Sequence, residues 1–184
     1  MAMEKMNLIN MMNTAWERKN EVSAEEYEVK VKNLLSHAFV EIERMYVDFC
    51  KEKGYEYKDE VFYVFQRLIV YFTFSDGDFL QGEYDAYVKY CDWAHIQPLS
   101  VADCKALNER LTSETIINDI KLINGLRDSI DPENFTALVQ GFCYMSLLGD
   151  KSFDENEYYI IRCFFERGYD YCPEDWETFK REWK

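Results

Sequence analysis

Six carboxylates are spaced so that they could do chemistry. Asp76, Asp78 and Glu83 lie close together in the chain, and Asp150, Asp154 and Glu157 follow at an offset of 74 residues, from Asp76 to Asp150 and from Glu83 to Glu157. Hard divalent cations such as Ca²⁺ or Mg²⁺ take several oxygen ligands at roughly 2.0–2.6 Å, and each acidic turn offers carboxylates, with backbone carbonyls freed at Gly77 in the first. The seven-residue step from Asp to Glu is not that of an EF-hand loop, whose ligands spread over about twelve residues. The same side chains have a second use. Asp76 and Asp150 can accept turn N–H groups, and Glu83 and Glu157, at the start of a helix, face its positive end. Both readings remain open at this level.

Other chemistry is poorly represented. His37 and His95 are the only histidines, with no E-x-x-H or H-E-x-x-H spacing around them. There is no G-x-S-x-G, no phosphate-binding glycine loop and no G-x-G-x-x-G, so no catalytic constellation is visible and the expectation is a protein that is not an enzyme. Cysteines at 50, 91, 104, 143, 163 and 172 form no C-x-x-C. Cys143 and Cys163 sit within apolar helical patterns, where a free thiol acts as a small hydrophobe, which points to a reducing, cytoplasmic setting. No run approaches the roughly 18 apolar residues of a membrane span, and the first residues lack the pattern of a signal peptide.

The elements that must position the acidic turns repeat with them. Residues 74–84 are echoed by 148–158, pairing Phe79 with Phe153 and Tyr84 with Tyr158, and the same offset pairs Gln66 with Gln140 upstream. Each copy has an apolar run before the turn (61–74, 135–148) and an amphipathic one after it (about 80–95, 154–168). The chain therefore reads as a helix, acidic turn, helix unit used twice, over about 59–94 and 133–168, with the apolar helices buried nearly all round. Asp131-Pro132 is an N-cap followed by proline at the first helical position. Asp154 to Glu157 is a capping box, whereas Leu80 to Glu83 lacks a good N-cap.

Upstream, Met6, Ile9, Met12, Ala15 and Trp16 suggest a short helix over about 4–19. A capping box at Ser23 to Glu26 opens a helix of about thirty residues ending at Gly54, with one buried stripe from Tyr27 to Phe49. Further helices are expected from Ser100 to about Leu111, from Thr112 or Ser113, and after Pro173. With 3 Pro and 7 Gly in 184 residues, a strand-and-turn architecture is disfavoured. The expected fold is all-α: a single globular domain at 56–184, pseudo-two-fold in organisation, with residues 1–55 packed on it as a helical extension.

A formal charge of −14, from 35 acidic and 21 basic residues, excludes a phosphate-binding basic face and argues against anionic membranes. It suits a cation, a basic protein partner or plain solubility. Aromatics make up 17 % of the chain, more than its core requires. The C-terminal helix gathers Trp176 and Trp183 with Glu174, Asp175 and Glu177, a candidate partner face with aromatic anchors and steering carboxylates. The alternative is that both tryptophans dock this helix onto its own domain.

An apolar helix ending in Asp76-Gly77-Asp78-Phe79, with Glu83 seven beyond Asp76, resembles the repeat of the TerB family, over about residues 60–170. Asp150-Lys151-Ser152-Phe153 with Glu157 keeps its Asp and Glu. The resemblance implies an all-α, pseudo-two-fold fold with divalent-cation binding at the acidic turns. It suggests a non-enzymatic module of a stress-response or envelope-related system. A second reading is an acidic protein, of the kind phages encode as inhibitors or nucleic-acid mimics, that occupies a basic surface of another protein.

Overall fold

The computed structural model of the chain describes residues 5–56, 60–74, 79–128, 131–148, 152–165 and 170–183. Among the described residues it is all-helical, with nine α-helices: α1 (Leu8–Glu21), α2 (Ala24–Lys53), α3 (Glu60–Thr73), α4 (Gln81–Trp93), α5 (Val101–Asn108), α6 (Ser113–Gly125), α7 (Pro132–Met145), α8 (Glu155–Arg162) and α9 (Trp176–Glu182). None of them is long and apolar enough to cross a membrane. Contacts divide the chain into two compact units, one formed by residues 1–38 with 131–184 and the other by 39–130.

In the first unit α1 packs along α7, and α8 joins α7 to α9. Leu8, Met11, Met12 and Ala15 of α1 are buried at the i, i+3, i+4, i+7 spacing of a single stripe. Helix α7 starts where Asp131 accepts the Glu133 N–H at 2.9 Å with Pro132 at its first position, and residues 141–147 are buried without a gap. The first half of α2 lies across it. There Tyr27 donates to the Tyr144 carbonyl at 3.0 Å, and the two rings stack at 5.4 Å. Leu35 comes so close to Gly141 that a Cβ there would meet its Cδ2 at 2.5 Å. Two backbone bonds, Tyr171 N–H to Met6 O (2.9 Å) and Leu8 N–H to Tyr171 O (3.0 Å), tie the lead-in of α1 to the segment before α9.

In the second unit α3 packs against α4, α5 and α6. Phe39 and Phe65 meet at 4.3 Å. Arg67 of α3 grips Asp119 of α6 through two hydrogen bonds of 2.6 Å, a bidentate geometry that satisfies a nearly buried carboxylate. Helices α2 and α4 end in the same way, with a left-handed residue just past the helix: Gly54 at φ 67° and His95 at φ 55°.

Ser23 and Glu26 form the expected reciprocal cap of α2, at 3.2 and 3.1 Å. The expected helices after Thr112 and Pro173 are present, capped by Thr112 and by Asp175. Two details differ. Helix α3 is not buried all round, since Tyr63 is 57 % exposed and Gln66 and Arg67 are half-exposed on the same side. Helix α8 stops at Arg162, well short of residue 168, as the chain tightens through Cys163 and Phe164, whose N–H groups bond three residues back.

Candidate interaction surface

Of the six turn carboxylates, Asp76, Asp78 and Asp150 lie outside the described residues. The other three cap helices. The Asp154 carboxylate accepts the Glu157 N–H at 2.9 Å and Glu157 accepts the Asp154 N–H at 3.2 Å, closing a capping box around a glutamate only 3 % exposed. Glu83 makes half of that arrangement, accepting the Leu80 N–H at 3.1 Å, because leucine has no oxygen to return the bond. Among the described residues no group of three or more His, Cys, Asp or Glu side chains is placed to hold a metal ion.

The correspondence between the two segments continues past these caps. Tyr84 donates to the Leu99 carbonyl at 3.0 Å and Tyr158 donates to the Pro173 carbonyl at 2.6 Å, in each case 15 residues downstream. Each bond leads into the N-cap of a short helix, Ser100 for α5 and Asp175 for α9. The fourth residue of each short helix, Cys104 or Phe179, is fully buried. The fifth is a lysine over an aromatic ring: Lys105 Nζ lies 5.4 Å from the centroid of Phe79, and Lys180 Nζ lies 5.5 Å from that of Trp176. The packing is not identical, since α5 leans on α3 and α9 on α8.

Around α9 the first unit carries an apolar groove of about 650 Å³, lined chiefly by Trp16, Leu147, Phe153, Trp176, Lys180 and Trp183. Helix α9 is held down by Phe179, whose ring meets those of Phe153 and Tyr158, both at 5.2 Å. Trp176 and Trp183 stand to either side of this anchor and remain half-exposed. The walls cross one another. Trp16 meets Trp183 at 6.0 Å and 83°, Phe153 meets Trp183 at 5.8 Å and 79°, and Phe153 meets Trp176 at 5.9 Å and 63°. Such edge-to-face contacts suit the ring quadrupoles.

Glu174, Asp175 and Glu177, which flank Trp176 in the chain, are all exposed. Asp175 is held below the usual carboxylate range, chiefly by the Thr178 N–H that it caps. Glu177 accepts from Lys180 at 2.6 Å. Of the C-terminal residues singled out in the sequence, Trp176 and Trp183 line the groove, and their neighbours there, Trp16, Phe153 and Lys180, were not among those residues. Trp16 carried a signal: it falls one step beyond the buried stripe of α1 and is 49 % exposed.

Cys91, Cys143 and Cys172 are held protonated. Burial pushes Cys91 up to about 11 and Cys172 up to about 12, and it raises the fully enclosed Cys143 as well. A thiolate nucleophile is thereby disfavoured at these positions near neutral pH. Comparison of the chain with protein-family models, with curated proteins and with solved structures finds no match.

Proposed function

We propose that this chain is a non-enzymatic helical interaction module that meets a basic surface of a partner protein through the tryptophan-lined groove beside α9. The observation that carries this reading is that three of the four tryptophans, Trp16, Trp176 and Trp183, converge on one accessible groove, and exposed carboxylates flank Trp176 in the chain. Half-exposed tryptophans supply desolvated anchors, and flanking carboxylates steer a basic partner.

Docking of the helix alone does not account for them. If the segments from α3 to α5 and from α7 to α9 are two copies of one three-helix unit, the shared tyrosine bonds and buried fourth residues are what hold the third helix. The first copy does this with Val101 and Asn108 where the second has Trp176 and Trp183. Kinship with TerB-type repeats draws its support from the same correspondence, and a stress-response or envelope-related setting rests on that kinship alone. Divalent-cation binding would need Asp76, Asp78 and Asp150, so the interaction reading does not depend on it.

The test is affinity capture from the native host with the wild-type chain and a Trp176→Ala/Trp183→Ala variant side by side. A captured protein supports the module if it is basic, is lost with the double variant while the fold is retained, and is released as salt rises from about 50 to 300 mM. Capture that ignores both changes overturns it. The acidic excess is shared by both units, with 18 acidic against 11 basic residues in the first and 17 against 10 in the second. That spread favours the second reading, in which the partner's basic surface is a nucleic-acid channel. Competition by duplex DNA for the captured partner distinguishes it.

A further inference from the structure

We infer that the anchor taken by this groove is an arginine side chain within a short basic segment of the partner. The inference rests on the interaction reading above and names its ligand. Aromatic rings that cross at 63–83° make walls, not a flat stack, and a planar cation can lie on one indole face while its methylene stem runs along another. Tryptophan is the strongest cation–π partner among the side chains, and arginine the commoner cation in such pairs.

A cation already lies over one of these rings: Lys180 Nζ, one turn along α9, sits 5.5 Å from the Trp176 centroid while bonded to Glu177 at 2.6 Å. Among the described residues that line the groove, that ammonium is the only charged group, and its pairing with Glu177 offsets part of its repulsion of an incoming guanidinium. Glu174 and Asp175, exposed and just before Trp176 in the chain, and a chain charge of −14 favour a basic segment over an acidic one. A volume of about 650 Å³ exceeds one side chain, so the occupant is a segment with neighbours to its arginine. Lys180 then acts as a tethered competitor for the Trp176 face.

The probes are three hexapeptides identical but for one central residue: arginine, its uncharged isostere citrulline, or norleucine. Titration is followed by tryptophan fluorescence, since Trp93 is 5 % exposed and the other three tryptophans line the groove. The arginine peptide is expected to bind saturably and the citrulline peptide roughly tenfold more weakly. Trp16→Leu, at an exposed position, should weaken arginine binding several-fold without lowering the melting temperature, and Lys180→Met should strengthen it. Equal binding of arginine and citrulline, or weakening by Lys180→Met, overturns the inference. If norleucine binds best, the groove is an apolar docking site and the module survives with a different anchor. If none of the three binds, the groove is not the interaction face, and the module reading falls with the inference.

Discussion

Gly141 sits in mid-helix, where glycine costs about 1 kcal/mol relative to alanine, and nothing in the sequence says why it is there. The structure supplies the reason in Leu35, whose Cδ2 and Cγ lie 2.5 and 2.9 Å from an ideal Cβ at that position. Leu35 is itself buried and has little room to yield. Gly141→Ala should therefore destabilise the protein by about 1–3 kcal/mol, the strain outweighing the gain in propensity. Leu35→Ala in the same chain should relieve that strain, so the two changes should be less than additive in denaturant melts. Additive losses would mean that the two helices do not meet at this point.

At the scale of elements, the caps were legible because a side-chain oxygen three residues before a glutamate is a local signal that needs no tertiary context. Ser23 with Glu26 and Asp154 with Glu157 both close as their spacing implies. The early end of α8 and the exposed side of α3 were not legible, because apolar content alone does not say which face a neighbour covers. Trp16 was readable as helical but not as a wall of the groove, since it meets Trp183 from the far end of the chain.

The two imperfectly matched caps give a reciprocal prediction. Leu80 is 63 % exposed and makes no side-chain cap bond, so Leu80→Asp should complete the box at α4 and stabilise by about 0.5–1 kcal/mol. Asp154→Ala should cost about 1 kcal/mol at α8. Thermal melts of the two variants should move in opposite directions. Movement in the same direction would deny the equivalence of the two caps.

For the molecule as a whole, buried thiols set its response to alkali. Cys91 and Cys172 are pushed up to about 11 and about 12, and Cys104 and Cys143 are raised, all chiefly by burial. A raised folded-state value contributes stability that is intact below the unfolded thiol value, about 8.5, and is lost as pH climbs towards the folded values. The urea midpoint should hold steady from about pH 7 to 8 and then fall, with a shallower fall in Cys91→Ala. A midpoint that rises above about pH 9 would contradict this.

Whether the groove beside α9 is the interaction face and takes an arginine can be read from the four indole N–H resonances of the chain. On titration with the arginine hexapeptide, the signals of Trp16, Trp176 and Trp183 should shift together and saturate while that of Trp93 stays fixed; indoles that do not move while amide signals shift elsewhere on the molecule would contradict it.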